Sequence, residues 1–299
     1  MSSRESPFQK NTTQIAMPST SSALVQTDAA AIEAREALLA TGLLLFLLMV
    51  LKWLGSIFSL VQEGVFVFAI GFQLYVPQVL LARRRQRPEE VGIHLHGVLL
   101  GPLAAWRKRR VMRKRSLTPS QRSRAQSGLE LWLASWARHA ELNGPALKKE
   151  LWRVALVSSF FFPLFAVGHH LWQQMTAGRV YHFRMPDDLV ELVVVNLLLV
   201  AVAEEVFYRG YLERRLDRIW PRGWTFLGIP LRRSVFVASA LFALGHYLGE
   251  WNVARLAPFF PAFVFSGLVR QGGSLLGAIL FHGFSNIFSA VLLAGYTGA

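Results

Sequence analysis

The stretch "DLVELVVVNLLLVAVAEEVFYRGYL", residues 188–212, decides the fold. Its first part is apolar enough to cross a bilayer, where a helix needs roughly 20 residues. Glu204, Glu205 and Arg209 then follow at its end. Ionisable groups at membrane depth are costly and tend to face a cavity or one another. The run therefore reads as a membrane helix that holds charged groups in a protected place.

Comparable apolar blocks recur on both sides of it. They begin at Ala37 ("ALLATGLLLFLLMVLKWLGSIFSLV", interrupted by Lys52), at Gly64 ("GVFVFAIGFQLYVPQVLLA"), and at about 151–172, 233–248, 256–270 and 273–296. The chain of 299 residues is 53% hydrophobic with a mean hydropathy of +0.35. The expected fold is all-α, a polytopic transmembrane helical bundle of about seven spans, with six to eight allowed by the uncertain block ends. Trp53, Trp172, Trp220, Trp224 and Trp251 lie near span ends, as interfacial anchors should. No internal repeat is evident. The chain has no cysteine. Disulfides, thiolate metal sites and a cysteine nucleophile are excluded, so any chemistry comes from carboxylates, imidazoles, hydroxyls or amides.

Four regions follow. Residues 1–36, rich in Ser and Thr, read as a disordered cytoplasmic tail without the early apolar core of a cleavable signal peptide. Residues 37–82 read as two N-terminal transmembrane helices. Residues 83–150 read as a basic cytoplasmic loop, because they hold 16 of the 32 Lys and Arg residues but only five of the 18 Asp and Glu residues. Residues 151–299 form the remaining membrane core. The cluster "WRKRRVMRKRS" at 106–116 suits anionic lipid headgroups better than nucleic acid, since no zinc site, aromatic platform or reading helix accompanies it. The segment "GIHLHGVLLGPLAAW" at 92–106 is too short to span and is expected at the interface or re-entrant, with His94 and His96 exposed. With the basic loop inside, the N-terminus is inside and the C-terminus outside. The loop 212–233, with six Arg residues, then also falls inside.

The polar residues within spans are the candidate site. In an α-helix Glu204 and Glu205 differ by about 100°, whereas Glu205 and Arg209, four apart, lie within about 40° of each other. Arg209 can neutralise Glu205, leaving Glu204 to seek another partner. A desolvated carboxylate of that kind is suited to proton transfer. His246 lies 13 residues past Arg233, roughly 20 Å along its helix; His282 lies ten past Gly272 and Glu204 ten before Arg214, each about 15 Å. Three helices thus place polar groups at a common depth. His169 and His170 are expected at the outer interface, Phe242 beneath His246, and Asn196 either at the cavity or bonded to a neighbouring helix.

The order "EEVFYRG" at 204–210, "FALGH" at 242–246 and "HGFSN" at 282–286 resembles the CPBP family of CAAX prenyl proteases and bacteriocin-processing enzymes, also called the ABI family, over about residues 188–296. The resemblance implies a CPBP-type catalytic core and a glutamic intramembrane protease opening toward the cytoplasm. Residue by residue, it implies that Glu204 is the general base that activates water and that His246 holds that water with it. His282 and Asn286 would stabilise the oxyanion, with Glu205 and Arg209 as the supporting ion pair. It implies no cofactor or metal, and as substrate a membrane protein or peptide with a hydrophobic segment. A zinc-dependent membrane metalloprotease using the same groups, and a non-enzymatic membrane immunity factor, scaffold or transporter, are the alternatives. The short length and Arg-rich inner loops suggest a multi-pass protein of a bacterial inner membrane. A subgroup similar to the myxosortases, which remove C-terminal anchoring helices from exported proteins, is one expectation for the substrate.

Overall fold

A computed structural model describes residues 20–88, 93–95, 109–113, 128–226 and 229–296. Among them the main helices are α1 (Thr20–Gly55), α2 (Ser59–Arg83), α3 (Gly128–Ala177), a continuous helical run over 189–219 termed α4, α5 (Arg233–Glu250), α6 (Phe259–Gly272) and α7 (Leu276–Ala294). Five helical segments are long and apolar enough to cross a bilayer: Thr27–Gly55, Ser59–Arg83, Gly144–Ala177, Val253–Gly272 and Leu276–Ala294. The window within Gly144–Ala177 is only 6% buried, so this apolar helix turns nearly all its surface outward. In water that would be untenable; against lipid tails it is the ordinary arrangement. The protein is an all-α, multi-pass integral membrane bundle.

The two other expected spans are α4 and α5. The α4 run is not a single α-helix: it alternates α (Leu189–Val194), π (Val195–Val200), α (Ala201–Glu204), π (Glu205–Glu213) and α (Arg214–Ile219). The α5 helix carries His246 in its interior and Arg233 and Glu250 at its ends. Both run through the middle of the bundle beside the site, where polar residues replace part of the apolar run.

Three sequence expectations are corrected. The N-terminal tail does not extend to residue 36, because α1 starts at Thr20. The stretch "DAAAIEAREALLA" favours helix through its alanines, and Glu33 and Glu36 are tied down by distant cations. Glu33 is buried and pairs with Arg215 and Arg218 of α4, while Gln86 Nε2 donates to it at 2.9 Å. Glu36 receives both Nε (2.9 Å) and a terminal nitrogen (2.7 Å) of Arg84. The basic loop is shorter than 83–150, because α3 begins at Gly128 and continues through Pro145 and Pro163. The connection between α4 and α5 contains an antiparallel hairpin, β1 (Gly223–Phe226) with β2 (Ile229–Arg232), pairing Trp224 with Leu231 and Thr225 with Pro230. Residues 1–19 and most of the 92–106 segment, His96 included, lie outside the described residues. The described part, 93–95, is half-buried rather than exposed, and His94 O accepts from Leu275 N at 3.0 Å.

Contacts between helix ends give the bundle two poles. At one, the start of α1 meets the ends of α2 and α4 through the Glu33 and Glu36 pairs. There too Arg270 near the end of α6 bonds Glu213 at 2.6 Å and Asp217 at 2.8 Å. At the opposite pole, His170 Nδ1 near the end of α3 meets the Tyr296 hydroxyl at 2.8 Å, and Gly295 O accepts from His182 N at 2.9 Å. Close helix approach needs small residues where no hydrophobic force drives association. A Cβ on Gly283 of α7 would collide with the Leu197 side chain of the first π segment and lie 3.2 Å from Leu197 Cα. Gly273 ends α6 at φ +73° and donates its N–H to Val269 O at 2.8 Å.

Candidate active site

The site is built where α4, α5, α6 and α7 converge. The second π segment starts at Glu205, directly after Glu204. Such wide-turn insertions in α-helices occur frequently at functional sites because they re-aim side chains. Glu205 is 0% exposed, and its Oε1 accepts from Arg209 at 3.1 Å, closing the four-residue pair expected from the sequence. Arg209 is itself 1% exposed. Its guanidinium carbon lies 4.4 Å from the centroid of the Phe242 ring and 4.9 Å from that of Phe265. Rings of negative face potential take the place of water around this cation. A terminal nitrogen also reaches Ala262 O of α6 at 3.5 Å.

His282 of α7 completes the arrangement. Its Nδ1 lies 2.8 Å from Glu205 Oε1 and its Nε2 lies 3.4 Å from Glu204 Oε2. One imidazole therefore hydrogen-bonds Glu205 and stands at ion-pair distance from Glu204, whose Oε2 has no hydrogen-bond partner among the described residues. The ring is 3% exposed, stacked on Phe265 at 4.5 Å and 12°, and meets Phe242 edge-on at 5.8 Å. A carboxylate only accepts, so the bond to Glu205 assigns a proton to Nδ1 and turns Nε2 toward Glu204. Glu204 retains 15% side-chain exposure, which makes it the member of the pair that water can reach.

His246 sits on α5 with Nδ1 3.0 Å from Phe242 O. A carbonyl also only accepts, so Nδ1 carries the proton and Nε2 is left as the acceptor nitrogen. Its ring lies 4.5 Å from that of Phe242 at a tilt of 60°, so Phe242 packs against it as expected. Asn286, half-buried, follows His282 by one turn of α7. Asn196 gives its side-chain amide to Leu192 O at 2.8 Å within its own helix, not to a neighbouring one. His169 and His170 stand at the far pole with Gln173 and Tyr296, away from this constellation.

Two features were not foreseen from the sequence. One is Phe265, buried under both Arg209 and His282. The other is a buried network one turn and more below it: Ser266 Oγ donates to Glu213 at 2.6 Å, Arg270 bonds Glu213 and Asp217, and Ser234 Oγ reaches Asp217 at 2.5 Å. The sequence did carry a signal for the network. Glu213 and Asp217 continue the Glu205 and Arg209 face at four-residue spacing, and Arg270 is a lone cation after the apolar run "FFPAFVFSGLV". Among the described residues, no group of three His, Asp or Glu side chains is disposed to hold a metal ion.

A multi-pass helical membrane protein with a Glu, Glu, Arg and His cluster sealed among aromatic rings is the class that fold and site define. Residues 186–288 match the family model of type II CAAX prenyl endopeptidases, Rce1-like, a segment that contains every residue from Glu204 to Asn286 discussed above. The match covers about a third of the chain, and over that segment the chain is similar to the Rce1-like family. That similarity supports a membrane-embedded endopeptidase of the CAAX type in general. No curated protein and no solved structure matches the chain.

Proposed function

We propose that Glu204 is the general base of peptide hydrolysis and that His282, held by Glu205, is its proton partner and an oxyanion donor. The placement of His282 beside both carboxylates carries this reading. With Nδ1–H committed to Glu205, Nε2 faces Glu204 Oε2 at 3.4 Å, close enough for a proton to pass between the two groups during the reaction. When it resides on His282, Glu204 is free to take a proton from water.

The reaction then runs as follows. Water held between Glu204 and His246 Nε2 attacks the scissile carbonyl as Glu204 removes its proton. Negative charge gathers on the carbonyl oxygen, where His282 Nε2–H and the Asn286 amide donate. Glu204 returns the proton to the leaving nitrogen as the C–N bond breaks. Donors aimed at the developing charge in a water-poor site are worth about 10²- to 10³-fold each in rate. Glu205 and Arg209 take no part in bond making; they hold the imidazole in its orientation and tautomer.

The substrate class supported by the family and the lipid-facing surface is a membrane protein or lipid-modified peptide with a hydrophobic segment. The basic pole, joined to the Arg-rich 83–127 connection, supports a cytoplasmic opening and contact with anionic lipid headgroups. The test is a comparison of membrane proteomes from cells carrying wild-type protein or Glu204→Gln. Proteins that keep a terminal hydrophobic segment only in the variant are substrates, and their sequences separate prenylated ends from sorting tails. A Glu204→Gln protein that still cleaves them overturns the assignment. Loss of cleavage in excess chelator, with metal found in the purified protein, would favour the zinc reading instead.

A further inference from the structure

We infer that Phe265 on α6 is a positioning residue of this site, the platform that fixes the plane of the His282 ring. The inference rests on the reading of Glu204 and His282 as the reacting pair. Helix α6 supplies none of the motif residues, yet one face of it is shaped around them. Ala262 O takes a contact from Arg209 at 3.5 Å. Ser266 holds Glu213 at 2.6 Å. Between them Phe265, 2% exposed, lies nearly parallel to His282 at 12° with centroids 4.5 Å apart. The same ring stands 4.9 Å from the Arg209 guanidinium carbon and meets the edges of Phe281 at 5.9 Å and Phe242 at 6.3 Å.

The need for such a platform is geometric. The last torsion of a histidine side chain is broad and roughly two-fold, so a hydrogen bond at one nitrogen leaves the ring free to swing about it. The groups around His282 are Glu204 and Glu205 from α4, with Arg209 on the shared Glu205 oxygen, and Phe242 from α5. A swing of the ring by a few tens of degrees would carry Nε2 away from Glu204 while keeping Nδ1 near Glu205. A flat aromatic surface at van der Waals distance forbids that swing. It also holds the guanidinium that shares Glu205 Oε1, so one side chain registers both partners of the buried carboxylate. An aliphatic residue of similar volume would fill the space without supplying a flat face.

Three variants test the inference in detergent-solubilised full-length protein labelled with [15N]histidine: Phe265→Leu, Phe265→Trp and Glu204→Gln. A His282→Gln spectrum assigns the His282 ring resonances. The first readout needs no substrate: the downfield proton signal of His282 Nδ1–H bonded to Glu205. It is expected to broaden or vanish in Phe265→Leu and to persist in Phe265→Trp, with the other histidine signals unchanged in both. On a fluorogenic farnesylated CAAX peptide, Phe265→Leu should lose at least tenfold in kcat with KM within about twofold, and Phe265→Trp should recover most of it. An unchanged His282 signal in folded Phe265→Leu, or wild-type kcat in that variant, overturns the role of Phe265. Cleavage of the peptide by Glu204→Gln instead overturns the underlying assignment, a result the His282 signal does not share.

Discussion

Glu204 and Glu205 are adjacent and chemically identical, and their surroundings separate them. Glu205 is sealed and shares one oxygen between Arg209 and His282. Glu204 keeps partial exposure and lies 3.4 Å from the imidazole. Their substitutions should therefore differ in kind. Glu204→Gln should abolish turnover yet leave unfolding in detergent close to wild type. Arg209→Met should lower stability by about 3–5 kcal/mol, because it strands Glu205 as a buried unpaired charge. Circular-dichroism melts of both variants, beside turnover, check this contrast; an Arg209→Met protein as stable as wild type would show that His282 alone suffices for Glu205.

At the scale of elements, the site was legible wherever it obeyed helical periodicity. Four-residue spacing joins Glu205 to Arg209 and places Phe242 against His246, and both contacts are present; depth counting adds the expectation that Glu204, His246 and His282 share one level. The placement of His282 beside both carboxylates was not legible, because it depends on how α7 is rotated against α4. That rotation is set by close packing at Gly283 and by two π segments, which no hydrophobic period announces. Phe265 was hidden for a related reason: in an apolar helix rich in phenylalanine, only the fold distinguishes a platform from a lipid-facing ring. The early start of α1 escaped notice because the cations that bury Glu33 come from α4, some 180 residues away. Gly283 offers an element-scale test. Gly283→Ala places a methyl against Leu197 and should cost about 1–3 kcal/mol by overpacking. It should also lower kcat by moving His282, its neighbour in sequence. Leu197→Ala in the same chain should restore part of both losses, since it removes the crowding side-chain carbons while the backbone at residue 197 stays close. Equal turnover and melting in Gly283→Ala and wild type would show that the helices have room to part.

For the whole molecule, the poles defined by helix-end contacts agree with a chain that crosses the membrane alternately. The starts of α1, α5 and α7 and the Glu150 turn of α3 gather with the ends of α2, α4 and α6, and the other ends gather opposite. The end of α2 at Arg83 and the described parts of the 212–233 connection lie at one pole, where the charge distribution leads us to expect the cytoplasmic side. Since Lys and Arg are retained on the cytoplasmic side, we propose that this pole faces inward, and with it the polar network below Glu205. The absence of cysteine makes the orientation directly measurable. Arg222, beside the hairpin, and Val180, beyond α3, are both exposed and lie at opposite poles. In intact cells a membrane-impermeant maleimide should label Val180→Cys at once and Arg222→Cys only after permeabilisation, with both variants retaining activity. The reverse pattern would invert the protein in the membrane and place the entrance to Glu204 on the other side. Labelling of both positions from outside would break the alternation of α3 and α4, and with it the common depth of Glu204, His246 and His282.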